Sequence, residues 1–214
     1  MPSITVIQSI GLLIASFLIG IGYFYIQSDR PKKTRKKQIE VVSSILINIV
    51  IYVWVGKVLV NLPKFISDPL AILAYPSNAN AFYVASVLGL INIIINIKKN
   101  KIDLNTYIEA FIPIFIGASL IFEFINYIQD GTINSLMYFL LLILLIGIQL
   151  ILHKKLSVVK LNLIITIIWS SVKLVLSLIY SYTTIFNYLI HPIYFVIIII
   201  LAIYCLNRKG TCSE

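Results

Sequence analysis

The chain is a succession of long apolar runs separated by short polar stretches. The runs fall at 4–26, 39–62, 81–97, 104–128, 133–152, 159–181 and 186–206. About 20 consecutive apolar residues cross a ~30 Å hydrocarbon core as a helix. The pattern therefore predicts seven transmembrane helices. The fourth run is long enough to tilt or to begin outside the hydrocarbon. The third is short, and the polar, turn-rich segment from Pro63 to Tyr83 ahead of it is expected to dip partway into the membrane. No internal repeat of the inverted kind used by many transporters is visible. Residues 1–214 read as a single polytopic membrane domain.

Composition agrees with this pattern. Of 214 residues, 60% are hydrophobic and 12% charged, and the mean hydropathy is +1.00. A soluble domain carries about 25% charge, so a soluble class is excluded. Charge then orients the spans. Arg30, Lys32, Lys33, Arg35, Lys36 and Lys37 follow the first run. Lys98, Lys99 and Lys101 follow the third, Lys154, Lys155 and Lys160 the fifth, and Arg208 and Lys209 the last. The alternate loops hold only Lys64. The positive-inside rule puts the N-terminus outside and the C-terminus in the cytoplasm, which requires an odd number of spans. The basic residues, which give a net charge of +9, are split among short turns. They suit anionic headgroups and give no footprint for nucleic acid. The first run lacks a basic n-region and is expected to be retained as a span. Cys205 and Cys212 have no spacing that suggests a disulfide framework or a metal site.

Four ionisable residues fall inside the runs: Lys57, Glu109, Glu123 and Lys173. Each costs at least ~2.5 kcal/mol near a bilayer centre unless it finds a partner, water or a headgroup. Glu109 lies close enough to the start of its run to reach the surface. Lys57 is near the outer end of its run and can snorkel. Glu123 and Lys173 are deeper. Small residues Gly117-Ala118-Ser119 precede Glu123 and permit close approach of another helix. Its expected partner is Lys57 or Lys173.

Residues 53–128 resemble the prolipoprotein diacylglyceryl transferase family. In that family a D-P-L segment and a Gly-rich F-H-G-G turn enter a membrane helix. A later helix reads I-P-x-G-x-G-A-G-R-x-G-N-F-I-N. Asp68-Pro69-Leu70, Phe82, Ile112-Pro113, Gly117-Ala118 and Phe124-Ile125-Asn126 match. The chemical positions differ. Tyr83 stands where the family has His, Leu120 where it has Arg, and Glu123 where it has Asn. Ile128 stands where a family Glu would follow. In the sixth run Trp169, Ser170, Lys173 and Leu174 are similar to the family's Y-G-x-x-R-F, while Ser177 and Tyr180 replace a second Glu and Arg. Gly56-Lys57 is similar to a family G-G-R segment. The resemblance implies an all-α, seven-span integral membrane protein of the bacterial plasma membrane.

The family's reaction moves a diacylglyceryl group from phosphatidylglycerol to a lipoprotein thiol. It needs a base to form the thiolate and cations to hold the departing phosphate. Arg grips phosphate with two parallel hydrogen bonds, and this chain has none between Arg35 and Arg208. His153 sits in a cytoplasmic turn, and His191, before Pro192, reads as a helix-start residue. The candidate catalytic residues are therefore Tyr83 and Glu123. Lys57, Asn126 and Lys173 are the candidates for lipid or phosphate binding. No cofactor or metal is implied, and no serine-hydrolase, zinc-protease or phosphate-loop motif is present. The leading expectation is a non-catalytic relative that binds phospholipid, a lipoprotein or a membrane partner. The alternatives are a divergent phosphatidylglycerol-dependent transferase and a small transporter or membrane assembly factor coupled through Glu123 and Lys173.

Overall fold

The long apolar runs wind into helices, and the ends of several are set by recognisable caps. The computed structural model describes residues 4–68, 78–99, 103–180 and 183–210. Within them lie α1 (Ile4–Gln27), α2 (Lys32–Val60), α3 (Leu62–Ser67), α4 (Ala79–Lys98), α5 (Leu104–Asp130), α6 (Ile133–Leu152), α7 (Val158–Ile179) and α8 (Pro192–Gly210). The Asn78 side chain accepts from Ala81 N–H at 3.0 Å at the start of α4. Asp103 does the same for Thr106 at the start of α5, at 2.9 Å. Such caps satisfy amides that have no partner within the helix. At α8, Pro192 occupies the first turn, where its missing N–H costs nothing, and His191 Nδ1 accepts from Ile193 N–H at 3.3 Å.

Six helices are long and apolar enough to cross a membrane: α2, α4, α5, α6, α7 and the Ile10–Gln27 part of α1. The chain is an α-helical, multi-pass membrane protein. The seventh predicted run differs from expectation. Its span is expected over 186–206, but helix begins only at Pro192, and its apolar part, Pro192–Arg208, is shorter than the others. The residues before it form an antiparallel hairpin, β1 (Thr183–Ile185) paired with β2 (Tyr188–Ile190). Thr183 pairs with Ile190 and Ile185 with Tyr188. β-Branched and aromatic residues flank a two-residue turn, Phe186-Asn187, with φ of 48° and 66°. Two positive φ values are what a tight hairpin needs. The usual Gly is missing there, so the turn is silent in the sequence.

Two other boundaries differ. α2 starts at Lys32, inside the basic cluster and well before the apolar run at 39. Hydropathy sees only the apolar part, whereas Lys, Arg and Gln are good helix formers. Leu62–Ser67 is helical, with Pro63 in its first turn, where the composition suggests a loop. Pro69, Leu70 and the Tyr75-Pro76-Ser77 part of that polar segment lie outside the described residues, as do Lys101 and Cys212.

The chain divides into two compact units. The first comprises Met1–Leu12 and Arg30–Tyr107, the second Leu13–Asp29 and Ile108–Glu214. In the first, α2 and α4 pack antiparallel. A Cβ on Gly56 would lie 2.6 Å from the Ala81 carbonyl oxygen, and one on Gly89 would lie 3.4 Å from Ile49. Asn92 donates to the Tyr52 hydroxyl across this pair, and Asn96 donates to Asn92. In the second unit α1 lies against α5. A Cβ on Gly20 would sit 2.8 Å from Ala118 N, and one on Gly117 would sit 3.2 Å from Gly20 Cα. The small residues before Glu123 thus admit another helix. Phe115 joins a ring cluster with Trp169 and Phe186, and Trp169 also meets Phe195.

Candidate functional site

The second unit brings Glu123 of α5 and Lys173 of α7 together. The Lys173 Nζ to Glu123 Oε1 distance is 3.9 Å, and the side chains are 3% (Lys173) and 8% (Glu123) exposed. Of the two partners expected for Glu123, Lys173 is the one that pairs with it. At 3.9 Å the attraction is Coulombic, because a hydrogen bond needs a shorter approach. Removing two charges from water costs several kcal/mol per ion even after relaxation, so other contacts must help. Lys173 Nζ donates to the Thr184 carbonyl at 2.9 Å. It also sits 3.1 Å from the centroid of the Tyr138 ring, where the negative π face attracts a cation. The Tyr138 hydroxyl shares a 2.7 Å hydrogen bond with Thr183 Oγ1.

The hairpin supplies one wall of this site. Thr184, Ile185 and Phe186 face Ser119, Glu123, Leu142, Trp169 and Lys173 around a cavity of about 10 Å³. That is space for roughly one water molecule. The turn is held from below. Asn126 Nδ2 donates to Asn187 Oδ1 at 3.1 Å, and Phe186 packs against the rings of Phe17, Phe115 and Phe122.

Of the sequence candidates, Glu123, Lys173 and Asn126 belong to this neighbourhood. Asn126 is engaged with the hairpin turn. Lys57 and Tyr83 are in the first unit. Lys57 is 8% exposed. Tyr83 is half-buried. Glu109, expected to reach the surface, is half-buried. His153 is held by Asp29 at 2.9 Å, which ties the α6–α7 turn to the end of α1. Among the described residues, no three of His, Cys, Asp and Glu are grouped as metal ligands would be.

Attention to charged residues alone misses a second buried polar group. The Tyr23 hydroxyl donates to Gln149 Oε1, Gln149 Nε2 donates to Asn162 Oδ1, both at 2.9 Å, and Asn162 Nδ2 donates to the Ile108 carbonyl at 3.1 Å. A signal for it exists in the sequence. Asn162, Thr166, Ser170, Lys173 and Ser177 recur at helical spacing and mark one polar stripe along α7. Thr166 and Ser170 return their hydroxyls to carbonyls one turn back.

Comparison of the chain with models of known protein families, with curated proteins and with solved structures finds no match. The likeness described above rests on residues 53–128 themselves.

Proposed function

We propose that this chain is a non-catalytic membrane protein organised like the prolipoprotein diacylglyceryl transferases, which binds a membrane component instead of transferring a lipid. The observation that carries this reading is the pairing of Glu123 with Lys173. The residue best suited to act as base is the counter-ion of the residue best suited to hold phosphate. Each role occupies the group the other needs. With the hairpin in place, the cavity beside them has room for about one water. Asn126, the third candidate in this unit, is taken up by the hairpin turn.

In this reading α8 is a seventh span in a bacterial plasma membrane, with the N-terminus outside and the C-terminus in the cytoplasm. The exposed lysines at the start of α2, together with Lys98 and Lys99 at the end of α4 and Lys154 and Lys155 after α6, support that orientation. The bound component is a phospholipid, a lipoprotein or a membrane protein. The test is complementation of cells depleted of an authentic transferase, paired with labelling of a lipoprotein peptide in vitro. Neither rescue nor labelling is expected. Robust attachment of diacylglycerol would overturn the reading in favour of a divergent transferase.

A second reading, a small ion-coupled transporter, draws on the same pair, because two charges sit inside span-forming helices. Ion flux in proteoliposomes that survives Glu123→Gln together with Lys173→Met would count against it.

A further inference from the structure

The Thr183–Ile190 hairpin is held far more firmly than so small an element can hold itself. Two short strands without a third are marginal in isolation. Phe186 has a φ of 48°, and a bulky residue with positive φ persists only where its surroundings enforce it. Lys173 anchors the Thr184 carbonyl, Tyr138 anchors Thr183, and Asn126 anchors Asn187. Phe186 closes the gap between Phe115 and Phe122. Beneath this cover sit an ammonium and a carboxylate, each more than nine-tenths buried, on the wall of one cavity. Lys173 lies about 9 Å along α7 from its end at Ile179, at the ~1.5 Å rise of a helix. A headgroup can travel that far once the hairpin yields.

We propose that the hairpin is a lid, and that the pair beneath it receives a zwitterionic headgroup, its phosphate on Lys173 and its ammonium on Glu123. The proposal rests on the phospholipid-binding form of the function given above and names the lipid class. Charge compensation is the reason. A purely anionic headgroup that drew Lys173 away would leave the Glu123 carboxylate buried without a partner, which is strongly unfavourable. A headgroup with both signs exchanges one ion pair for two and leaves no charge uncompensated. Trp169 is on the same wall, and an aromatic ring attracts a nearby ammonium.

The test uses the full chain in detergent micelles, with short-chain phosphatidylethanolamine and phosphatidylglycerol titrated separately and bound lipid read by native mass spectrometry. Saturable binding of phosphatidylethanolamine, about tenfold tighter than phosphatidylglycerol, is expected. Equal binding, or a preference for phosphatidylglycerol, overturns the proposal. Either result leaves the non-catalytic reading standing, since that reading falls only to the lipidation assay. Glu123→Gln with Lys173→Met should abolish the preference, and a retained preference overturns the assignment. Tyr138→Phe keeps the ring under Lys173 and removes the hydroxyl that bonds Thr183. It should tighten phosphatidylethanolamine binding a few-fold, and unchanged or weaker binding overturns the lid. Soluble phosphoethanolamine should bind about tenfold more weakly than the lipid. Equal affinity would assign the site to a free solute and overturn the lipid form.

Discussion

The two units are built from the same apolar helices but treat their polar side chains differently. In the first, α2 and α4 meet through backbone contact at Gly56. Their shared polar groups, Tyr52, Asn92 and Asn96, sit half-buried and bond to one another. In the second, Lys173, Gln149 and Asn162 are almost wholly enclosed and tie several elements together. Lys173 alone engages α5, α6 and the hairpin, and Asn162 links α7 to α6 and α5. α5 is buried over more than half of its apolar window, 56%, against 17% for α1, α2 and α4, 22% for α6 and 39% for α7. Apolar packing is non-directional, so it holds helices together without choosing among similar arrangements. Enclosed polar groups must be matched, and matching selects one arrangement.

Breaking the ion pair should have the largest effect. Lys173→Met alone leaves Glu123 buried without its partner and should cost about 3–5 kcal/mol. The double change Glu123→Gln with Lys173→Met should recover most of that loss. Equilibrium unfolding in mixed micelles measures both. Equal losses for the single and double variants would show that the pair contributes no coupling.

Close approach is used by both units, so it sharpens the comparison by being common to them. Gly20→Val and Gly56→Val each drive a side chain into backbone and should cost about 1–3 kcal/mol. Gly22→Ala and Gly147→Ala meet nothing within 4 Å and should change stability by less than about 0.5 kcal/mol or raise it slightly.

Smaller effects separate the units again. Asn162→Leu leaves the Gln149 amide nitrogen without this partner and removes the bonds to the Ile108 and Glu109 carbonyls, and should cost about 1–2 kcal/mol. Tyr52→Phe removes one half-buried bond in the first unit and should cost about 0.6 kcal/mol, the average for interhelical bonds in membranes. If the Tyr52 variant loses as much as the Asn162 variant, the contrast between the units fails.

Much of this architecture is legible in the order of residues. Six apolar runs become membrane-length helices, five of them with ends close to expectation, because a run of apolar residues in a chain of this composition has few other ways to satisfy its backbone. The role of Gly117-Ala118 as a contact surface is legible for a similar reason, since only small residues admit a neighbouring backbone. The hairpin is not legible. Phe186–Ile190 reads as the start of a span, and Phe186-Asn187 lacks the glycine that normally announces such a turn. The start of α2 is hidden because its first turns are basic, and hydropathy discards them.

Glu123 and Lys173 show where the boundary falls. Their residue types and positions alone establish that each buried charge needs compensation, because an unpaired charge in hydrocarbon is too costly to persist. Which partner each takes depends on contacts between residues far apart in the chain. Tertiary packing sets Lys173 opposite Glu123 and over the Tyr138 ring, and draws the Thr184 carbonyl in as its third ligand. Hydropathy counts what a residue avoids, whereas a fold decides what it meets.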